Sequence, residues 1–194
     1  VKVACIGDSV TYGYGLDEDR DSLSYPAQLQ KLMGQEYDVR NFGISGRTLM
    51  NSGDEPYMNE QIYKDALAFQ PQIVTIMLGT NDSKPQNWIH SEDFKSDLKT
   101  LISSFRELPD KPDIWLCLPT PAMGHVWAIN DSVIFNGVIP YIKEVAEEEG
   151  LNIIDINTPF RNHREYFPDT IHPNEAGQQK IADVIREALT GGKR

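Results

Sequence analysis

The sequence predicts an α/β fold, with one five-stranded parallel sheet covered by helices on both faces. Short apolar runs alternate along the chain with longer segments in which apolar residues recur at helical spacing. This alternation is typical of parallel sheets, because the chain must cross a face of the sheet before it enters the next parallel strand. One run, at residues 72–78, is almost continuously apolar, which indicates a strand buried on both faces. We expect residues 1–194 to form a single domain, since a chain of this length can bury one sizeable core.

Each element is predicted from its own pattern of apolar and boundary residues. The strands are predicted at residues 1–6, 37–42, 72–78, 113–118 and 151–156. The helices are predicted at residues 24–33, 56–69, 92–108, 132–149 and 174–189. Pro26 in the first turn and Gly34 after the last turn are typical boundaries of the first helix. Gly150 is expected to end the fourth helix in the same way.

Composition and charge exclude several classes of function. The formal net charge of −11 argues against binding to nucleic acid or to an anionic membrane surface, because both require clustered Lys and Arg. No apolar run is long enough to span a membrane, so we expect no membrane insertion. The chain begins without Met, and we expect a periplasmic or secreted location in preference to a cytoplasmic one if a signal peptide has been removed. The oligomeric state is left open.

The sequence predicts neither a disulfide nor a cofactor. Cys5 and Cys117 lie in two apolar runs whose strands we expect to be separated by a third, so both are predicted to be free and buried. No Gly-x-Gly-x-x-Gly follows the first strand, which argues against a dinucleotide. No spacing of His, Cys, Asp or Glu is typical of a metal site, and we expect no metal.

Polar residues collect directly after the predicted strands. Ser9 follows the first strand, Gly43 the second and Asn81 the third, while Asp169 and His172 precede the last helix. Because parallel strands bring their carboxyl ends to one edge of a sheet, we expect these residues to lie close together. Acyl transfer to water needs a nucleophile, a base, a group that orients the base, and donors for the oxyanion. The sequence contains a candidate for each role.

Ser9 is the candidate nucleophile and His172 the candidate base. Asp169 precedes His172 by three residues, so its carboxylate can fold back onto the imidazole in a turn. The candidate oxyanion donors are the N–H groups of Ser9 and Gly43 and the side-chain amide of Asn81. A simpler interpretation of three of these residues remains open: Gly43 as a turn glycine, Asn81 as a helix cap, and His172 as a surface-loop residue.

Four blocks of the sequence resemble the SGNH, or GDSL-type, esterases, in the order that this family has them. The blocks are Gly7-Asp8-Ser9, Gly43, Gly79-Thr80-Asn81-Asp82 and Asp169-Thr170-Ile171-His172. They span nearly the whole chain, and Gly-x-Asn-Asp and Asp-x-x-His are the most specific of them. The resemblance implies a flavodoxin-like, three-layer α/β/α sandwich and metal-free hydrolysis through an acyl-enzyme. It implies a catalytic triad of Ser9, His172 and Asp169, and an oxyanion hole formed by Ser9, Gly43 and Asn81.

Three further features narrow the resemblance. The similarity to bacterial carbohydrate esterases, which include acetylxylan esterases and sialate O-acetylesterases, lies in Asn41-Phe42-Gly43-x-Ser45-Gly46, in the Pro56-Tyr57 pair and in residues 77–84. This likeness implies a serine esterase that removes acetyl groups from a carbohydrate or a similar small ester. Two alternatives stay open: a lysophospholipase or thioesterase of the same family, and a non-catalytic carbohydrate-binding protein on the same fold.

Three polar residues of these stretches are predicted to have structural roles. Asp8 and Asp82 belong to the family blocks, and we expect them to brace loops. Ser45 lies in Gly43-Ile44-Ser45-Gly46-Arg47, which resembles the nucleophile elbow of α/β-hydrolases, but Arg47 replaces the final glycine. We therefore interpret Ser45 as a loop residue.

Aromatic residues near the predicted site are candidates for stacking on a sugar ring. They are Tyr12, Tyr14, Tyr57, Trp88 and Trp127. We expect at least two of them to pack beneath loops, and we name all except Tyr57 as candidate substrate-binding residues. An open, aromatic-lined site suits a small-molecule or oligosaccharide ester with a short acyl group. The acidic surface favours neutral glycans such as acetylated xylan, whereas Arg161 and Arg164 can admit a carboxylate-bearing sugar.

Overall fold

Five parallel strands form one sheet in the order β2-β1-β3-β4-β5, as the sequence predicts. The structure, a computed structural model, describes residues 1–191. The strands are β1 (Lys2–Gly7), β2 (Asp38–Gly43), β3 (Ile73–Met77), β4 (Asp113–Leu118) and β5 (Asn152–Asp155). Because β2 lies on one side of β1 and β3 on the other, the order of strands reverses between them. Open α/β sheets bind their ligands beyond the carboxyl ends of the strands at such a point.

Helices cover both faces of this sheet. The α-helices within residues 1–191 are α1 (Ser9–Tyr12), α2 (Arg20–Leu23), α3 (Tyr25–Met33), α4 (Gln61–Ala68), α5 (Pro85–Trp88), α6 (Phe94–Arg106), α7 (Asp131–Val133), α8 (Ile139–Glu149) and α9 (Glu175–Thr190). Helices α4, α6 and α8 contribute apolar residues to the core on one face, and α3 and α9 to the core on the other. The expected three-layer α/β/α sandwich is therefore confirmed. None of the described helices is long and apolar enough to cross a membrane.

Strand β1 serves both cores because successive side chains of a strand point to opposite faces. Ala4 and Ile6 pack in the core beneath α4, α6 and α8, whereas Val3 and Cys5 pack beneath α3 and α9. All four side chains are fully buried. The short apolar runs of the sequence are thus strands that are apolar on both faces.

The two cysteines are free and buried, as predicted. Cys5 lies in β1 and Cys117 in β4, and β3 pairs with both of these strands. Burial raises the pKa of the Cys5 thiol to about 12. Both residues therefore act as small apolar core residues rather than as reactive thiols.

The helix expected at residues 56–69 begins later than predicted, at Gln61. Tyr57–Asn59 forms a 3₁₀ turn instead. The reason is tertiary: the Tyr57 hydroxyl donates to the carbonyl of Phe42 at 2.7 Å, and the Tyr57 N–H donates to the carbonyl of Thr48 at 2.9 Å. These contacts hold Tyr57 against the end of β2, away from the position that a continuous helix would give it.

The helix expected at residues 132–149 is helical throughout but not uniformly α-helical. A π-helical turn, Ile134–Val138, separates α7 from α8. In this turn the ring of Trp88 packs directly against Gly137, where a side chain would collide with it. The predicted stop is confirmed, because Gly150 ends α8 in a left-handed conformation.

Candidate active site

The loop after β1 places Ser9 at the carboxyl edge of the sheet. Asp8 caps α1, since its carboxylate accepts the N–H of Val10 at 3.0 Å. The helix therefore begins at Ser9, whose own N–H belongs to the first turn and has no carbonyl partner within the helix. Ser9 is only 5% exposed. The expected bracing role of Asp8 is confirmed by this cap.

A continuous chain of hydrogen bonds joins Ser9, His172 and Asp169. Ser9 Oγ lies 2.8 Å from His172 Nε2. On the other side of the ring, His172 Nδ1 lies 2.6 Å from Asp169 Oδ2. Asp169 Oδ1 accepts the N–H groups of Ile171 and His172, at 2.9 and 2.7 Å. The turn before α9 thus holds the imidazole and its carboxylate as one unit, and it orients the imidazole towards Ser9.

The hydrogen bonds to Asp169 also favour its ionised form. Burial by itself would raise the pKa of Asp169. Hydrogen bonds from the N–H and imidazole of His172 and from the N–H of Ile171 outweigh this effect, so the pKa lies below its ordinary value. A carboxylate at this position accepts the Nδ1 hydrogen of His172 and leaves Nε2 free to act as a base towards Ser9.

Two aromatic rings flank the imidazole. The ring of Tyr14 lies 4.4 Å from that of His172, and the ring of Trp127 lies 5.3 Å from it, measured between centroids. Tyr14 and Trp127 also contact each other edge to face. Their side chains are 42% and 49% exposed, so their outer faces are available to a ligand.

A cavity of about 200 Å³ opens over Ser9. Its lining residues are Ser9, Tyr14, Ser45, Gly46, Asn81, Lys84, Trp127, Ile129 and His172. A larger groove of about 780 Å³ adjoins it and shares Tyr14 and His172 as walls. The groove is acidic, and its lining includes Asp17, Glu18, Asp19, Asp169 and Glu175. We call these two spaces the reaction cavity and the acidic groove.

The loop after β3 is tied to the loop after β2 through Asn81 and Asp82. Asn81 Nδ2 donates to the carbonyl of Arg47 at 3.1 Å. The Asp82 carboxylate accepts the N–H groups of Leu49 and Met50, both at 2.9 Å. Burial raises the pKa of Asp82 to about 6 even though these bonds oppose the rise. The expected bracing role of Asp82 is confirmed.

The structure does not support Gly43 as an oxyanion donor, because its N–H already has a partner. Gly43 N donates to Asn41 Oδ1 at 2.9 Å, and Gly43 is not among the residues that line the reaction cavity. A Cβ at this position would lie 2.3 Å from the main-chain nitrogen of Tyr12. Gly43 is needed for the close approach of β2 to α1, which is a packing role.

Gly46 lies three residues after Gly43 in the same loop. It lines the reaction cavity together with Ser9 and Asn81. Its φ of +83° is the left-handed conformation that favours glycine. No carbonyl or side chain within residues 1–191 accepts the Gly46 N–H. The sequence did not indicate Gly46, because nothing in the local sequence distinguishes it from Gly43 in the same loop.

Only two of the candidate aromatic residues line the reaction cavity, Tyr14 and Trp127. Tyr12 lies under the guanidinium of Arg20, with 4.0 Å between that group and the ring centre. Trp88 packs on Phe94 and Tyr141. Tyr57 is fully buried. The expectation that at least two aromatics have packing roles is therefore confirmed, and Tyr12 and Trp88 do not line the reaction cavity.

The two arginines considered for a carboxylate-bearing sugar are both engaged elsewhere. Arg161 forms an ion pair with Asp131 at 2.9 Å and donates to Asn157 at 2.8 Å. Arg164 donates to the carbonyl of Phe167. The cation that does line the reaction cavity is Lys84, which the sequence analysis did not single out. Ser45 is a loop residue, as interpreted, and its buried hydroxyl has no hydrogen-bond partner within residues 1–191.

Comparison with known proteins identifies the family. A model of the GDSL-like Lipase/Acylhydrolase family matches residues 5–180. The chain belongs to this family. The resemblance seen in the four sequence blocks is thereby confirmed. Within residues 1–191, no three His, Cys, Asp or Glu side chains are grouped so as to hold a metal ion.

Known relatives of this acylhydrolase-family chain include an acetylxylan esterase of Xylanibacter ruminicola, which is 45% identical over 97% of the chain. The chain spans 43% of the length of that relative. The crystal structure of a lipase/acylhydrolase from Enterococcus faecalis aligns with a TM-score of 0.80 at 25% identity, over 98% of this chain and 95% of the other. A carbohydrate acetylesterase from Sinorhizobium meliloti aligns with a TM-score of 0.79 at 15% identity, over 98% of each chain. The structural matches confirm the fold.

Proposed function

We propose that this chain is a carboxylic ester hydrolase, a serine esterase that removes acetyl groups from carbohydrate esters through an acyl-enzyme. The observation that carries the proposal is the hydrogen-bond chain from Ser9 Oγ through His172 to Asp169 at the wall of an open cavity. The similarity to an acetylxylan esterase supports both the acyl group and the class of alcohol. Ser9, His172 and Asp169 form the proposed catalytic triad.

In the acylation step, His172 Nε2 takes the proton of Ser9 Oγ while the oxygen attacks the ester carbonyl. Asp169 stabilises the imidazolium that forms and keeps its Nδ1 hydrogen in place. The tetrahedral intermediate collapses when His172 gives its proton to the departing alcohol oxygen. Water then repeats the sequence on the acyl-enzyme, which releases the acid and restores Ser9.

The proposed oxyanion hole consists of the N–H groups of Ser9 and Gly46 and the side-chain amide of Asn81. All three residues line the reaction cavity. Within residues 1–191 no acceptor bonds the N–H groups of Ser9 and Gly46, and Asn81 has a second amide hydrogen beyond the one given to Arg47. Donors fixed in advance stabilise the negative charge that develops on the carbonyl oxygen, which is a large part of catalysis in acyl transfer.

The direction of the substrate follows from the role of His172. Because His172 protonates the leaving alcohol, the alcohol lies on the His172 side, against Tyr14 and Trp127 and towards the acidic groove. The acyl group then lies in the part of the reaction cavity lined by Gly46 and Asn81, and the cavity volume of about 200 Å³ suits a small group. This arrangement favours a neutral sugar as the alcohol and acetate as the acid, as in acetylated xylan.

The test is hydrolysis of p-nitrophenyl esters of increasing acyl length, followed by acetate release from acetylated xylo-oligosaccharides. We expect the acetyl ester to be cleaved faster than the butyryl ester, and the octanoyl ester hardly at all. A preference for octanoyl esters would indicate a lipase or thioesterase. Binding of xylo-oligosaccharides without turnover would indicate a carbohydrate-binding protein.

The nucleophile is tested separately. Ser9→Ala should lower kcat by several orders of magnitude, because only binding and the oxyanion donors remain. A fluorophosphonate should label the chain once, at Ser9, and Ser45→Ala should still be labelled. Labelling at Ser45 would overturn the assignment of Ser9.

A further inference from the structure

We infer that Arg47 is a positioning residue for the oxyanion hole, because its contacts hold two of the three proposed donors. The inference rests on the proposed function. Arg47 lies in the loop after β2, directly after Gly46, and its side chain is 22% exposed. Its main chain contacts Asn81, and its guanidinium spans the turn at Gly46.

The first contact orients the amide of Asn81. Asn81 Nδ2 donates to the main-chain carbonyl of Arg47 at 3.1 Å, and the main-chain carbonyl of Asn81 accepts Asn87 Nδ2 at 2.9 Å. A carboxamide has two N–H bonds that lie in one plane. The hydrogen given to Arg47 fixes that plane, so the position of the Arg47 carbonyl determines where the second hydrogen points.

The second contact closes the turn around Gly46. Arg47 Nη1 donates to the carbonyl of Ser45 at 2.9 Å, so the side chain bridges the main chain on the other side of Gly46. The Ser45 carbonyl and the Gly46 N–H belong to one planar peptide unit, so a contact that fixes the carbonyl also fixes the N–H. The direction of the Gly46 N–H therefore depends on the guanidinium of Arg47.

Two carboxylates hold this guanidinium in place. Arg47 Nη1 lies 2.7 Å from Glu55 Oε2, and Arg47 Nε and Nη2 lie 2.9 and 2.8 Å from Glu60 Oε1. The planar guanidinium meets three acceptors in fixed directions, which a lysine ammonium cannot reproduce. Glu55 and Glu60 therefore set the geometry that Arg47 passes on to Gly46 and Asn81.

The test uses the full chain and p-nitrophenyl acetate, with kcat and KM measured separately. Arg47→Ala should lower kcat by about 10²-fold, since a displacement of about 1 Å at reacting groups has an effect of this size. KM should stay nearly unchanged, because the donors act on the transition state. Arg47→Lys should recover only part of kcat. The matched control is Arg106→Ala, which removes from α6 a guanidinium bonded to the carboxylate and main-chain carbonyl of Glu149 on α8 and should leave kcat unchanged.

A double-mutant cycle with Asn81→Ala separates positioning from a general structural effect. In the Asn81→Ala background, Arg47→Ala should cost much less in kcat than in the unaltered chain, because one donor that Arg47 orients is already absent. Thermal unfolding shows whether each variant is folded. If Arg47→Ala does not fold, Glu60→Gln is the milder substitution that replaces it. Glu60→Gln should also lower kcat with KM nearly unchanged.

The outcomes separate this inference from the proposed function. If the unaltered chain hydrolyses acetyl esters and folded Arg47→Ala or Glu60→Gln keeps its kcat, the inference is wrong and the function stands. Full additivity of Arg47→Ala and Asn81→Ala likewise overturns it. If the unaltered chain does not hydrolyse acetyl esters, the proposed function fails and the inference with it.

Discussion

At the scale of single residues, the reactive loops rest on two fully buried carboxyl groups, Asp8 and Asp82. Burial raises the pKa of Asp8 to about 7 against the hydrogen bond from Val10, and it raises the pKa of Asp82 to about 6. Both groups therefore hold a proton more tightly in the folded chain than in the unfolded chain. Their titration links the stability of the site to pH.

The first prediction concerns stability and pH. The pKa of Asp8 is about 7 in the folded chain against an ordinary value of 3.8. Between these values the folded state keeps a proton that the unfolded state has lost, so the free energy of unfolding falls as pH rises from about 4 to about 7. Asp8→Asn keeps an oxygen that accepts the Val10 N–H but removes the titration. From pH 5 to pH 8, we expect the variant to lose about 2 kcal/mol less stability than the unaltered chain.

Urea unfolding at the two pH values measures this difference. The contributions of groups that do not interact with Asp8 cancel when the two changes are subtracted, and the Coulomb interaction of Asp8 with Asp82 is part of the measured effect. Asp110→Asn, at an exposed position, is the control and should follow the unaltered chain. Equal losses in the unaltered chain and in Asp8→Asn would show that Asp8 is ionised in the folded state at pH 5.

The second prediction concerns Asn81. If its amide donates to the developing oxyanion, Asn81→Ala should lower kcat by roughly 10²–10³-fold with little change in KM. Steady-state kinetics on p-nitrophenyl acetate provide the measurement. Asn136→Ala is the control, since the Asn136 amide donates to the Ser132 hydroxyl at an exposed position. A variant that mainly raises KM would place Asn81 in substrate binding instead.

At the scale of elements, the helix that carries Ser9 is supported from the far end of the chain. Gln178 of α9 is fully buried. Its Oε1 accepts the N–H of Tyr25 at the start of α3 at 2.7 Å, and its Nε2 donates to the carbonyl of Val10 in α1 at 3.1 Å. One side chain thus satisfies the Tyr25 N–H in the first turn of α3 and the Val10 carbonyl of the short helix α1, two helix-end groups that intrahelical hydrogen bonds leave free.

The third prediction follows from this contact. Gln178→Leu keeps the volume but leaves the Tyr25 N–H and the Val10 carbonyl buried without partners, and each costs about 1–3 kcal/mol. We expect the free energy of unfolding in urea to fall by about 2 kcal/mol or more. Gln179→Leu on the same helix should have a small effect, because the hydrogen bond from its side chain to Asp183 is exposed to solvent. Equal effects of the two substitutions would contradict the bridging role of Gln178.

At the scale of the whole molecule, charge should influence the choice of substrate. The chain has a net charge of −11, and carboxylates line the groove that faces the leaving alcohol. Like charges close together raise the free energy of a complex, and dissolved salt screens them. An anionic sugar ester should therefore bind less well than a neutral one of the same size.

The fourth prediction compares kcat/KM for acetylated xylosides and acetylated glucuronosides. The neutral ester should be preferred several-fold at low salt. The preference should shrink as ionic strength rises from about 0.01 M to about 1 M, where the Debye length falls from about 30 Å to about 3 Å. Glu18→Gln in the acidic groove should reduce the preference for the neutral ester, and Glu36→Gln outside the groove should leave this preference unchanged. A preference for the anionic ester would point to Lys84 as the group that selects the substrate.

Much of this fold could be predicted from the sequence. The almost continuous apolar run at residues 72–78 predicts the buried strand β3, because both of its faces must meet apolar helices. The spacing of Asp169 and His172 predicts their contact, because three residues of chain cannot separate them far. Both inferences depend on neighbours in sequence, where backbone geometry leaves few alternatives.

Other features depended on contacts between distant parts of the chain. Gly43 and Gly46 are two glycines of one loop that the sequence does not distinguish. In the structure, the side chain of Asn41 accepts the N–H of Gly43, whereas Gly46 lines the reaction cavity. Tyr12 and Tyr14 are two residues apart, yet only Tyr14 lies on the imidazole. The sequence by itself determined the order of the elements and the chemical groups at the edge of the sheet. The tertiary structure alone decided which of those groups face Ser9, because the direction of an N–H or a ring is set by packing against residues far along the chain.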